Sequence, residues 1–388
     1  MNKTILGLFL VVNLYSQSYE VLLEEAIKNN VDLQLIQTQQ KRIFLEGEIE
    51  RRYENPNLEL EVADFSNHFI TQKNEFGAKI GVSQTIPLPH IQNDKKHLIE
   101  KKLDVAQKEY DLARVNFIYR FNLKYLAYKK AQHFLDLQHQ TLVISKEILE
   151  VVEKRFQEGA IAKSEYLEAK LDLEQMQSRL KEIAFKATEA KSTLVSFAQI
   201  ENSAFIDSEH LFFLQDNYGL NPIIKLNESR NQLSQAKIEL LQHSVDSIEL
   251  FSEFEREPEQ NIFRIGVSMA LPTFNLNSEE KQLEKINISN QKLLSANQEK
   301  RRIVQIKQLQ NEQSKLESLK ENYKKILLSQ KQLFNMYKLS YTIAKVNLLK
   351  LQQVKQQRIT TQEKLLETNF AIEQNIIKIN YLQGADHE

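Results

Sequence analysis

The sequence predicts a mostly α-helical chain that also contributes to a membrane β-barrel. It is built as two copies of one plan: helix, strand pair, long antiparallel coiled-coil hairpin. Three observations predict this. First, residues 76–87 read FGAKIGVSQTIP and residues 264–272 read RIGVSMALP, with Gly81 and Gly266 185 positions apart. Second, two very long stretches, 91–158 and 278–343, contain neither proline nor glycine. Third, 388 residues hold only eight Gly and six Pro, so turns are few and elements are long. A matched repeat is settled before any fold is assigned, because it makes one architecture of two similar halves rather than two or three domains.

Residues 1–16 open with Lys3, continue with the apolar run Thr4 to Val12 and end at Leu14-Tyr15-Ser16. This is the layout of a signal peptide cleaved after Ser16, and the run is too short to span a bilayer. No later stretch reaches the roughly 18 apolar residues a spanning helix needs, so membrane contact must come through strands. The first structural repeat covers 17–201. Tyr19 to Tyr53 reads as one helix, with Leu22, Leu23, Ala26 and Ile27 on a face, and Asn55-Pro56-Asn57 breaks it. Two strands follow, about 57–65 and 76–86. Leu58, Leu60 and Val62 alternate with Glu59 and Glu61, and Phe76, Ala78, Ile80 and Val82 alternate with Gly77, Lys79, Gly81 and Ser83. A period of two gives each strand two unlike faces, and about ten residues cross a bilayer when tilted. Pro87 lacks the N–H that a further ladder rung needs.

The next run, to Glu158, has Phe121, Tyr128, Leu135, Leu142, Leu149 and Phe156 every seven residues. A helix of about 65 residues is roughly 100 Å long, which suits a coiled coil rather than a compact core. After Gly159 a second heptad series runs from Tyr166 and Ala169 to Leu194 and Phe197, so the two helices form an antiparallel hairpin with its tip at 159–164. Residues 202–220 link the halves. The second repeat, 221–388, starts with a helix from Asn221-Pro222 to about Val245. Strands follow at about 248–256 and 262–271, the second ending at Pro272, then a long helix, a tip at 344–349 and a last helix to Leu382. Ala344 stands 185 positions after Gly159. The same offset matches Phe156 to Tyr341, Tyr166 to Leu351 and Ala169 to Val354.

Four strands with an apolar face cannot close a barrel, and open edges cannot sit in lipid, so several copies must combine; two give eight strands and three give twelve. Glu59, Glu61, Glu249, Glu253 and Glu255, with Lys79 and Arg264, share the polar faces and make an acidic lumen if those faces line a pore. A net charge of −1 shows no footprint for nucleic acid. The absence of cysteine excludes disulfides, thiolate metal sites and Cys nucleophiles. His90 and His97 can share a helix face but lack a third ligand, and Glu165 with Glu168 reads as a solvated tip face rather than an acid–base pair. No phosphate loop, HExxH or GxSxG motif occurs, and no cofactor is called for. These features describe a non-enzyme.

The duplicated plan, the two GVS strands ending in Pro, and Phe156-Gln-Glu-Gly159 with Ala169 resemble the TolC-like outer-membrane efflux proteins over essentially the whole mature chain. The resemblance implies a homotrimer in the outer membrane of a Gram-negative bacterium, with a twelve-stranded barrel in lipid and an α-helical tunnel in the periplasm. It implies the exit duct of a tripartite efflux pump or type I secretion system, passively conducting what a periplasmic membrane-fusion adaptor and an inner-membrane transporter deliver. The helical tips would gate the duct and dock the adaptor. These tips comprise Gly159, Ala160, Ile161, Ala162, Glu165 and Glu168 in the first copy, and Ala344, Lys345, Val346, Asn347, Lys350 and Gln353 in the second. The chain departs from the family's pattern at Ala344, where Gly is usual, and at Lys350 and Gln353, where acidic residues often stand. Lys350 is equivalent to Glu165, so facing tips would bring opposite charges together. The alternative is an exported coiled-coil structural or adaptor protein without a barrel, which would stay soluble without detergent.

Overall fold

In a computed structural model of the chain, the structure describes residues 18–64, 76–200, 206–215, 221–274 and 276–384. The expected signal peptide and the first hairpin loop lie outside the described residues. The elements are α1 Tyr19–Asn29, α2 Val31–Glu50, β1 Asn57–Asp64, β2 Phe76–Pro87, α3 Pro89–Gln157 and α4 Lys163–Ala198. They continue with α5 Pro222–Leu241, β3 Ser247–Arg256, β4 Asn261–Ser268, α6 Ser278–Thr342 and α7 Leu348–Gln383. The duplication is carried in the backbone: α4 and α7 start, and end, 185 positions apart, and each ends on a left-handed residue, Gln199 and Gly384. By contacts the chain divides into two compact units, 1–34 with 113–221 and 300–388, and 35–112 with 222–299. Each repeat therefore contributes to both units.

The unit containing 35–112 and 222–299 holds one antiparallel sheet in the order β1-β2-β3-β4. Its registers align like with like. Leu60 pairs with Ile80, Ile80 with Phe254 and Phe254 with Phe263, while Glu61 pairs with Lys79 and Lys79 with Glu255. Pro87 pairs with Ser247, so the helix that follows β2 and the helix that precedes β3 join the sheet at the same end. At the other end Glu257 N–H donates to the Gln260 carbonyl at 2.8 Å, closing the β3–β4 turn around Pro258. Below the sheet Lys102 bridges Glu50 at 3.3 Å, and Arg230 bridges Glu109 at 2.8 Å.

Three boundaries differ from the sequence reading. The single helix expected over 19–53 is two, because Asn30 takes an extended backbone and its Oδ1 accepts from Leu33 N–H at 2.9 Å, capping a new helix. β4 stops at Ser268 instead of running to 271, because Leu271, Pro272 and Thr273 form a tight turn closed by Thr273 N–H on the Leu271 carbonyl at 2.9 Å. Proline and its restriction on the preceding residue thus end the strand earlier than the alternation suggests. The helix expected to reach Val245 stops at Leu241, and β3 starts at Ser247.

The other unit contains both helical tips. Of the α3 heptad residues, Phe156 meets the α4 series by stacking on Tyr166 at 5.1 Å, while Met176 and Phe197 of α4 meet α3 residues outside its series: Gln138 donates to the Met176 carbonyl at 3.2 Å and Phe117 stacks on Phe197 at 5.2 Å. Residues 206–215, read from sequence as a simple link, form an extended strap. Tyr125 and Tyr128 donate their hydroxyls to the carbonyls of Asp207 and Ile206 at 2.7 and 3.0 Å, and Lys129 donates to the His210 carbonyl at 2.7 Å. Tyr19 stacks on His210 at 3.7 Å. Where the first repeat has α1, the second has this strap.

Candidate functional site

Two groups of residues carry the sequence-based site expectations, one on the sheet and one at the tips. On the sheet, the residues assigned to the apolar side share one face. Leu60, Val62, Phe263 and Ile265 there are 68–78% exposed, and apolar patches of this kind are rare on soluble surfaces and mark a site for a partner or lipid. The opposite face brings together all the predicted polar residues. Lys79 lies 3.4 Å from Glu59 and 3.3 Å from Glu253. Arg264 pairs with Glu253 and lies 2.5 Å from Glu255. The two cations thus neutralise part of a cluster to which Glu61 and Glu249 add further carboxylates, so this face is acidic on balance. β1 and β4 are the edges of the sheet, and the outer side of each has no partner strand among the described residues.

At the tips, Ile148, Val152, Ala169, Phe334, Tyr341, Leu348, Leu351 and Val354 form one buried cluster drawn from all four long helices, with Ile161 and Tyr166 packed against it. The three positions matched by the repeat, Tyr341, Leu351 and Val354, are all in it. Both helical turns are closed in the same way. Gly159 and Ala344 have φ of 70° and 59°. Gly159 N–H bonds the Phe156 carbonyl and Ala160 N–H the Arg155 carbonyl; Ala344 N–H bonds Tyr341 and Lys345 N–H bonds Ser340. This is a Schellman turn, which places one residue in the left-handed region where glycine is unstrained and alanine is not. The helices that follow differ in the opposite sense. Ala162 offers no side-chain cap to α4, whereas Asn347 Oδ1 accepts from Lys350 N–H at 3.0 Å at the start of α7.

Gly159, Ala160, Ala162, Glu168, Ala344, Lys345, Lys350 and Gln353 are exposed, and Ile161 and Val346 are half-buried. Glu165 is half-buried and accepts from the Tyr341 hydroxyl at 3.4 Å; within the chain its neighbour is this phenol and not Lys350. Burial, with Glu165 as a further cause, pushes the Tyr341 phenol above its ordinary value. Arg155 completes the contact: its Nη1 donates to the Tyr341 carbonyl at 2.9 Å and its guanidinium lies 4.5 Å from the Tyr341 ring centre. The two tips are therefore tied by Arg155, Tyr341 and Glu165. Sequence reasoning missed Arg155, and it took Tyr341 only as the apolar equivalent of Phe156. The signal was the hydroxyl that Tyr341 has and Phe156 lacks. Further from the tip, buried Lys355 is held by Asp172 at 2.5 Å and Ser145 at 3.1 Å, and Lys338 pairs with Glu147 at 2.5 Å. Gln353 borders a cleft of about 510 Å³ with Gln330, Gln356, Gln357, Thr360 and Thr361. Among the described residues no group of His, Asp and Glu is arranged to hold a metal ion, and no helix is long and apolar enough to cross a membrane.

The family model described as outer membrane efflux protein matches residues 22–198, from α1 through α4. No curated protein matches the chain. Solved structures with the same fold include VceC of Vibrio cholerae, 14% identical with a TM-score of 0.76, covering 95% of this chain and 96% of that one. The CmeC outer membrane channel of Campylobacter jejuni is 15% identical with a TM-score of 0.73, over 94% of this chain and 85% of its own. The open-state MtrE outer membrane channel of Neisseria gonorrhoeae is 13% identical with a TM-score of 0.74, over 94% and 88%. Residues 22–198 thus match the outer membrane efflux protein family, and the chain across both repeats has the fold of these outer-membrane channels.

Proposed function

We propose that the chain is the passive exit duct of a tripartite efflux pump or type I secretion system. Three copies would close a twelve-stranded barrel in the outer membrane, with the helices in the periplasm. The single observation that carries this is the sheet: one face apolar and exposed, the other charged, and both edges free. Free strand edges are not tolerated in lipid, so the sheet must be completed by further copies, and the only water-filled space then left for the charged face is the lumen. Five glutamates against two cations make that lumen cation-favouring. In planar bilayers under a salt gradient, purified protein should open channels whose reversal potential has the sign of cation preference. Absence of channels, or anion preference, would contradict the reading.

The tips would form the gate and the adaptor-docking surface. Gly159, Ala160, Ala344 and Lys345 are exposed and, apart from the lysine, small, which lets adaptor helices approach. The Arg155–Tyr341–Glu165 contact supports a closed state in which the two hairpins of a chain hold one another, and Lys350 is left exposed to face another copy. An adaptor opens such a gate by binding the released tips better than the tied ones. Glu165→Lys puts a cation beside Arg155 and Tyr341, and single-channel conductance should rise as the closed state loosens. An unchanged trace would remove Glu165 from the gate. The cargo and the pump class lie with the transporter that the duct serves.

A further inference from the structure

The two Gly-Val-Ser strands carry glycine at equivalent positions, but the two glycines do different work. At Gly81 a Cβ would meet the Glu59 Cβ at 3.7 Å, an ordinary contact. At Gly266 a Cβ would lie 2.5 Å from Cζ and 2.8 Å from Cε1 of Phe251. Phe251 is the cross-strand partner of Gly266 and lies on the charged face of the sheet, with Ser83 as its partner on the other side. The far end of its ring therefore lies over the glycine. This is how an aromatic ring covers a bare strand backbone, and it is possible only while the opposite residue has no side chain.

We propose that Gly266 is a bore-determining residue: it seats the Phe251 ring against the barrel wall and keeps it out of the conducting space. The inference rests on the reading above that this face lines the pore. Phe has only two side-chain torsions, so a ring displaced from its seat must swing away from the wall. Closing symmetry repeats the event in every copy, and the displaced rings meet at one level of the lumen. An apolar constriction of this kind raises the barrier to hydrated ions and bulky solutes alike.

The experiment is single-channel conductance in potassium chloride for the parent protein and five variants. Gly266→Val should lose conductance, Gly81→Val should lose less, and Gly266→Val with Phe251→Ala should regain it. Gly266→Ala already supplies the Cβ and should fall between Gly266→Val and the parent, which keeps the test open if valine hinders assembly. Ser83→Cys, introduced into a chain without cysteine, checks the underlying reading: a cationic thiosulfonate reagent should step the current down. If Ser83→Cys responds but both Gly266 variants conduct like the parent, the seat does not set the bore. If the double variant stays as low as Gly266→Val, the ring is not the obstruction. If the reagent never reaches Ser83→Cys, the pore-face reading fails and this inference fails with it.

Discussion

The two hairpin tips share one backbone and divide its costs differently. In the first, Gly159 takes the left-handed position without strain, but Ala162 leaves the next helix without a side-chain cap. In the second, Ala344 is forced to φ 59° while Asn347 caps α7. A left-handed alanine costs about 1–2 kcal/mol and a good N-cap is worth about 1 kcal/mol, so each tip has one favourable and one unfavourable residue. Duplication has preserved geometry and let chemistry drift. That freedom is what allows one tip to present Glu165 and the other Lys350 at equivalent places, and Arg155 with Tyr341 to tie the two tips together.

The equivalence of the repeats can be broken most strongly in the sheet. Ile80 and Ile265 are equivalent and both lie on the apolar face. Arginine at either should cost about 2–4 kcal/mol near the bilayer midplane, measured by denaturant titration of protein folded into lipid. Ser83→Arg, on the charged face of the same strand, should be mild. Equal penalties on the two faces would refute the assignment of lipid and lumen.

Next in size are the tip substitutions. Gly159→Ala should destabilise, and Ala344→Gly should stabilise, each by about 1 kcal/mol. Asn347→Ala should cost about 1 kcal/mol, while Ala162→Asn should return a similar amount to α4. Thermal unfolding of the four variants checks all of these together. Matching responses at the two tips would mean that the shared turn is not what limits them.

The smallest effect concerns the strap. Burial lowers the His210 pKa below the usual imidazole value, against the opposing pull of Glu20. The folded state then binds fewer protons than the unfolded one. Its stability is complete above the unfolded value of about 6.5 and is lost as pH falls through the lower folded value. His210→Gln should flatten that slope in a pH series of unfolding curves.

The repeat, the heptads and the two-faced strands were all legible in the sequence, because each is a period that burial enforces over many residues. Glu59, Lys79, Glu253, Glu255 and Arg264 could be placed on one face by counting alone. What could not be read depends on single residues meeting across long separations. Asn30 breaks a helix through one local cap. Pro272 bends the chain before the alternation has ended. Residues 206–215 have no period, since an extended strap is held by the hydroxyls of Tyr125 and Tyr128, which belong to another element. The Arg155–Tyr341 contact joins the two repeats, and the seat of Phe251 on Gly266 follows from the strand register; no spacing rule announces either.

The central claim is that this sheet is completed only by other copies of the chain. Native mass spectrometry of protein extracted from membranes in mild detergent tests it most directly. The account predicts a trimer that persists until the strands unfold. A stable, monodisperse monomer with its strand content intact would contradict it.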